Sequence, residues 1–498
     1  MVRSSRLLAL AVATLLCAPP LLAADDIEEE WFVARLEGQP VGTLQVVAQP
    51  RENGGYTVRA TQRLRFKRVQ TTIDIGVTQV FEEDADGKFS GFTMRQELAR
   101  NAIEVAGEVR DGRLYLRERS AGGAERTHEI EVPDDAVGAH RSEKILCEKL
   151  SAFVEDPSSP SVVETVLFLP ELRRFGKQTT RFGPLEEVTV AGKPRRLHRV
   201  EVTQDALPGL TITQWVNADC EEERFIVPVL GMEFVYERTS REDALATDLR
   251  SPPEILVSSA VRVDRRVPRG TVEARYRIRF DSSVSGRDWR EGFSAPGQEV
   301  VEARGDAIVL VVRRVTPPET RGRAAADPDR PGYVEEDLAA NAYIQSDDPA
   351  IRKLAREVVG DVEDPWEAAR SLEEWVHKNL TEKNLETAFA TAREVLESRE
   401  GDCTEHAVLL AALCRAADVP ARVVAGLVYH DGAFIGHMWT QVHAGKWIPL
   451  DATLGRGAVD ADHIALSSSA LGTGSLSELF IDLVQVLGRL QIEVLETK

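Results

Sequence analysis

Cys403 follows Gly401-Asp402 and opens a run in which Ala407, Leu410, Leu413, Cys414 and Ala417 recur at helical spacing until Pro420. The spacing predicts a helix that begins at the cysteine, with Asp402 as its cap. A thiol attacks as its thiolate, and the free N–H groups and positive dipole end of a helix N-terminus stabilise that anion. Cys403 is therefore expected to ionise more readily than an ordinary thiol. Cys414 falls deeper on the apolar face and reads as a small buried core residue.

A thiolate needs a proton carrier, and the downstream segments supply one. The stretches 422–429, 437–442 and 446–450 read as strands, and His443-Ala444-Gly445 offers the last two a three-residue hairpin loop with glycine in its final position. Setting Val442 opposite Lys446 puts His437 opposite Asp451, to within one residue of register. Facing Cβ atoms lie about 5 Å apart, close enough for a carboxylate to hold an imidazole. In that arrangement Cys403 would attack an acyl carbon. His437 would take the proton and later deliver one to the leaving amine, while Asp451 would fix the tautomer and stabilise the imidazolium. The oxyanion would meet the Cys403 N–H and one further donor.

Two neighbours are candidates for the cleft. His406 lies one turn beyond Cys403 and could tune the thiolate or touch substrate, although a structural histidine fits the same position. Trp439 shares a strand face with His437 and could wall the cleft. Trp366 and Trp375 fit core packing better than the supply of an indole donor. A zinc site would have to join Cys403 and His406 with His430 or His443, and no second cysteine pair stands at ligand spacing. No metal and no cofactor are expected, and no EF-hand-like calcium loop is present in the sequence.

Gly401-Asp402-Cys403, Arg415-Ala416, Pro420-Ala421-Arg422, His437-Met438-Trp439 and Trp447-Ile448-Pro449-Leu450-Asp451 occur in this order. Over about 385–453 the chain thereby resembles the transglutaminase-like superfamily. The resemblance implies a papain-like α+β core with its Cys, His and Asp triad at Cys403, His437 and Asp451. Asp418 stands where the family commonly has glycine, a departure at the helix end. The implied activity is thiol-dependent acyl transfer on a protein or peptide amide of the glutamine-carboxamide type, through a thioester. A cysteine peptidase or amidase would use the same triad, and a catalytically idle envelope binding or assembly protein would have the fold alone.

The elements that must position these residues come late in a long chain. Residues 25–245 read as an antiparallel β domain. Tyr56, Val58, Ala60, Leu64 and Phe66 share one parity with arginines between them, and Asn53-Gly54, Asp86-Gly87 and Asp111-Gly112 are hairpin signals. A second β segment covers 246–315, followed by a Pro-, Arg- and Asp-rich linker at 316–335. The catalytic domain is placed at 336–470, with helix starts at Asp348-Pro349 and Asp364-Pro365. Residues 471–498 are expected to complete it with a helix and a strand. The fold class is thus α+β, a papain-like core at the C-terminal end preceded by antiparallel all-β domains. The N-terminal β region also looks like companion domains of exported bacterial members of the superfamily.

Arg3, Arg6, the apolar run 7–16 and the small residues Ala23 and Ala24 read as a secretory signal peptide over 1–24. The protein is expected to be exported, periplasmic or extracellular, with no integral membrane segment after cleavage. A formal charge of −20 argues against phosphate-backbone binding, so no nucleic-acid partner is expected. The expected partner is a protein or peptide substrate, and the oligomeric state is open. Cys147 and Cys220 either pair or stay as two buried thiols.

Overall fold

The computed structural model describes every residue except 1–26, 53, 69–70, 98–101, 121–124, 230–231, 254–259, 282–291, 318–331, 381–388, 473–478 and 480–488. The signal-peptide segment, Asn53, most of the linker and most of the stretch before the last strand where the C-terminal helix is expected lie outside the described residues. Two units divide the chain, Val12–Ile255 and the one that holds Leu256–Lys498.

In the first unit, strands of alternating polarity follow one another through tight turns: β1 (Glu28–Leu36), β2 (Gln39–Pro50), β3 (Tyr56–Arg68), β4 (Thr71–Glu83), β5 (Phe89–Glu97), β6 (Ile103–Arg110), β7 (Arg113–Ser120) and β8 (Arg126–Glu131). Helix α1 (Ala139–Glu155) leads to β9 (Val162–Leu169), β10 (Arg174–Val190), β11 (Lys193–Gln204), β12 (Thr211–Val216), β13 (Glu222–Val229), β14 (Met232–Thr239) and the short α2 (Arg241–Ala246). All fourteen strands form one antiparallel sheet in which β1 pairs with β14, so two meanders join at the first and last strands. On β3, Val58, Ala60, Leu64 and Phe66 are buried while Arg59 and Arg63 are exposed, the period of two that one wetted face requires. Asp111 and Gly112 both take positive φ, 49° and 73°, as a two-residue hairpin demands. Helix α1 packs on β3, β4, β9 and β10. Its Cys147 is bonded to Cys220, with Cα atoms 5.5 Å apart, so the pairing alternative holds.

The second unit opens with β15 (Val261–Arg262), β16 (Glu273–Phe280), β17 (Gln298–Arg304) and β18 (Ala307–Arg313). Four helices follow: α3 (Pro349–Val359), α4 (Pro365–Asn379), α5 (Ala392–Ser398) and α6 (Cys403–Ala416). Asp348 and Asp364 cap α3 and α4, each accepting two backbone N–H bonds, with proline at the start of each helix. Strands β19 (Ala421–His430), β20 (Ala433–His443), β21 (Trp447–Leu450), β22 (His463–Ser469) and β23 (Leu490–Thr497) close the chain. One sheet runs β15-β20-β19-β22 with β21 also on β20, and the other runs β17-β18-β16-β23.

Two pairings differ from the sequence expectation. The sequence places the last strand in the catalytic domain, whereas β23 pairs with β16 of the second β segment, Ile492 against Ile278. Conversely β15 leaves that segment to pair with β20. An alternating pattern decides which face is buried; it does not name the neighbouring strand. The linker was drawn to residue 335, but Trp447 Nε1 donates to Gly332 O at 2.9 Å, and the fully buried Asp337 accepts a forked pair of bonds from Arg422 at 2.6 and 2.7 Å. Among the described residues no helix is long and apolar enough to cross a membrane.

Candidate functional site

Helix α6 begins at Cys403 because its cap is satisfied from both sides. Asp402 accepts the Thr404 N–H at 2.8 Å, and Glu405 accepts the Asp402 N–H at 2.9 Å, a reciprocal capping box. Gly401 sits at φ +155°, and a Cβ there would lie 2.2 Å from Glu405 Cβ, so the turn admits no side chain. Glu405 also accepts the Ala390 N–H at 3.1 Å. Burial pushes its carboxyl well above the usual range, and the charge of Asp402 adds to the effect. The sequence reading expects one apolar face on α6, but every residue from Cys403 to Arg415 is buried, because α3, α4, α5, β19 and β20 all pack on it. Burial pushes the Cys414 thiol up, in keeping with a core residue. Asp418, the residue standing for a glycine, has φ +59°, the left-handed conformation that glycine adopts without strain.

Among the described residues the sheet leaves a gap at the sulfur. Strand β19 covers one edge of β20 from Ala433 to Val442. On the other edge β15 reaches only Phe434, and β21 starts only at Thr440. Within that gap the Met438 N–H donates to Cys403 Sγ at 3.2 Å, which sets the sulfur against the peptide that follows His437.

The hairpin register moves the partner strand by two residues from the sequence estimate, outside its one-residue tolerance. Val442 faces Ile448, not Lys446, and Thr440 faces Leu450. The loop is Ala444-Gly445-Lys446, with the positive φ of Gly445 in its middle, not at its end. Continuing that register sets Asp451 beside Trp439 and diagonal to His437. Side-chain reach closes the diagonal: His437 Nε2 and Asp451 Oδ2 are 2.9 Å apart.

Asp451 is fully buried and richly bonded. Its Oδ1 accepts the Thr453 N–H at 2.8 Å and the Leu454 N–H at 3.3 Å, and its Oδ2 also lies 3.3 Å from His463 Nε2. Burial would push this carboxyl up, but the charges and hydrogen bonds of His437 and His463 outweigh it and hold Asp451 well below the usual carboxylate range. His463 Nδ1 in turn lies 2.6 Å from Asp462 Oδ1, and Arg456 donates to the other Asp462 oxygen at 3.1 Å. Burial lowers the affinity of His463 for its proton, yet the Asp462 charge and the bonds to both carboxylates raise it to about 9.

Trp439 lies on the His437 face of β20. Its ring stacks at 6.1 Å from His437 and meets His463 edge-on at 5.1 Å, while its buried Nε1 has no hydrogen-bond partner among the described residues. His406 is buried, with Nδ1 2.6 Å from the Asp402 carbonyl, so it braces the first helical turn; burial lowers its affinity for a proton. Trp375 stacks beneath the Arg399 guanidinium at 4.5 Å.

Cation-ligand atom types converge at His437, Asp451 and His463, all within 4.8 Å, and not at Cys403, His406, His430 and His443. The 2.9 Å contact is the length of a charge-assisted hydrogen bond, and both His463 nitrogens already face carboxylates. These contacts are hydrogen bonds, with no ligand role assigned to the three residues.

Several contributors escaped the sequence reading. The Met438 N–H has no signature in residue type. Asp462-His463 could have been noticed as a charged pair opening an apolar strand. Arg415 was read only as part of a motif; it ties the end of α6 to the carbonyls of Ala421, Ala470 and Ala339 at 2.7–2.8 Å.

No curated protein matches the chain. Among solved structures it is similar to a candidate cysteine protease from Cytophaga hutchinsonii, at 16% identity over 46% of this chain and 88% of that one, with a TM-score of 0.31. A β-barrel-like protein of a domain of unknown function from Brucella abortus is 15% identical over 44% of this chain and 98% of its own, with a TM-score of 0.32. A candidate protease from Parabacteroides distasonis is 12% identical over 81% of this chain and 65% of its own, with a TM-score of 0.20. The family model of the transglutaminase-like superfamily matches residues 352–452, from α3 to the residue after Asp451. Residues 352–452 thus carry a segment of the transglutaminase-like superfamily.

Proposed function

We propose that the protein is a cysteine enzyme that opens an amide carbonyl by acyl transfer through a thioester on Cys403. The observation that carries this reading is the junction at β20, where the Met438 N–H meets the Cys403 sulfur at 3.2 Å and the preceding residue, His437, meets Asp451 at 2.9 Å. Cys403 Sγ attacks the carbonyl carbon, His437 passes the thiol proton to the leaving nitrogen, and Asp451 holds the His437 tautomer and offsets the imidazolium charge. A backbone N–H on sulfur favours the thiolate, as does the start of α6. The favoured substrate is a protein or peptide carboxamide of the glutamine type. An amine acceptor completes a transamidation, and water completes a hydrolysis by a cysteine peptidase or amidase.

The Cys147–Cys220 bond supports export to an oxidising compartment, periplasmic or extracellular, since such bonds persist there. The test incubates envelope proteins with the enzyme and a labelled primary amine and compares wild type with Cys403→Ala by mass spectrometry. Amine incorporation, glutamine deamidation or new chain termini, each lost in Cys403→Ala, are the expected outcomes for the three acceptors. A variant that retains every activity of the wild type would sink the reading.

A further inference from the structure

His463 lies beyond the segment matched to the superfamily, and it shares Asp451 Oδ2 with His437. Its two ring nitrogens face two carboxylates, Asp451 Oδ2 at 3.3 Å and Asp462 Oδ1 at 2.6 Å. An ionised carboxylate only accepts, so both nitrogens must donate, and the ring that satisfies both is the imidazolium. Its surroundings hold it in place. The Asp462 carbonyl accepts the Tyr429 N–H at 2.9 Å, the Ala461 carbonyl accepts the Tyr276 hydroxyl at 2.7 Å, and Trp439 meets the ring edge-on. The result is a row of hydrogen-bonded groups, buried as far as Asp462 and ending on the half-buried Arg456: His437, Asp451, His463, Asp462, Arg456.

Accepting the thiol-enzyme reading above, we propose that His463 is a positioning residue for it, a buried cation that fixes Asp451 for His437 and weakens the pull of Asp451 on the His437 proton. With one oxygen of Asp451 shared between two imidazoles, its negative charge is divided. His437 can then release its proton to the leaving amine more readily than it could against an unshared aspartate. The other titratable groups near this row are Cys403, His406 on α6, Glu373 and His377 on α4, Tyr276 on β16 and Tyr429 on β19. Glu373 is held by Arg370 and by the Gly457 N–H at 2.9 Å, and His377 Nδ1 lies 2.9 Å from the Ala452 carbonyl.

Removing a unit positive charge disfavours the thiolate and favours the imidazolium, so both limbs of the Cys403–His437 couple move to higher pH. The His437 and His463 ring centres are 5.9 Å apart, which at an effective dielectric of about 20 sets a ceiling of about two pH units on the shift of the His437 limb. The experiment follows thiolate ultraviolet absorbance against pH, taken as the difference between each protein and its Cys403→Ser counterpart. This readout needs neither substrate nor access to the buried sulfur.

His463→Gln, which keeps a neutral donor, is expected to raise the thiolate midpoint, by no more than about two units. Asp462→Asn, which leaves the ring in place but removes the acceptor that demands its second proton, is expected to raise it less, and it carries the test if the first variant does not fold. Midpoints that coincide with wild type in both variants overturn the assignment while leaving the thiol reading intact. A wild-type Cys403 that titrates as an ordinary thiol overturns both.

Discussion

Replacing Glu171 with glutamine should free the first unit from a penalty that grows with pH. Glu171 lies between β9 and β10, is 5% exposed, accepts from Gln79 Nε2, and lines a largely apolar cavity of about 90 Å³ beneath α1. Burial pushes its carboxyl from 4.5 up to about 8, against a small opposing effect of its own backbone N–H. Below the unfolded value both states hold the proton and the group contributes no pH dependence. Between the two values the unfolded chain ionises while the folded one keeps its proton, so stability falls by about 1.4 kcal/mol per pH unit. Above the folded value the loss is complete, and the 3.5-unit difference sets it at no more than about 5 kcal/mol.

Glu171→Gln cannot ionise and still offers Gln79 a carbonyl acceptor. Urea unfolding of both proteins would be compared at about pH 4 and about pH 9, reading the transition that shifts when Cys147–Cys220 is reduced. Glu30, Glu143 and Glu222, also pushed up by burial, are common to both proteins and cancel in the comparison. The variant should gain about 3–5 kcal/mol on wild type between the two pH values. Two stability profiles that run parallel across this range would refute the reasoning, because a buried carboxyl that costs nothing to ionise is not desolvated.

Removing the disulfide with Cys147→Ala and Cys220→Ala, which are 73 residues apart, should cost the first unit about 4 kcal/mol in urea unfolding. Asp451→Asn should keep the fold by circular dichroism but lower the rate of amide release by about 10³–10⁴-fold, since the amide favours the wrong His437 tautomer. A fall of only a few-fold in that rate would remove Asp451 from the chemistry.

The sequence carried the site further than the fold. Cys403, His437 and Asp451 were legible because helix capping, strand alternation and hairpin turns each leave a local mark, and the three marks agree on one place. The loop slipped by one residue, and the strand pairing with it by two, because Ala444-Gly445-Lys446 and His443-Ala444-Gly445 are both acceptable three-residue loops, and only long-range packing chooses between them. Helices α3 and α4 belong to the superfamily segment but carry only an apolar stripe, so the resemblance read from motifs began about one helix pair too late. The pairings of β1 with β14 and of β23 with β16 join residues some two hundred positions apart, and nothing in a strand's own pattern encodes so distant a partner. His463 was missed for a related reason. It acts through contacts with Asp451 and Trp439 that exist only once β20 and β22 flank β19.

The most direct test of the central claim is to trap the acyl group on sulfur. The enzyme is incubated with a glutamine-containing peptide and no added amine, quenched in acid, and its cysteine-bearing fragments are weighed by mass spectrometry. The account expects the acyl mass on the fragment that contains Cys403, never on the one that contains only Cys414, with the adduct cleared when a primary amine is added before the quench. Amide turnover that proceeds with Cys403 unmodified, and at an undiminished rate in Cys403→Ser, would contradict it.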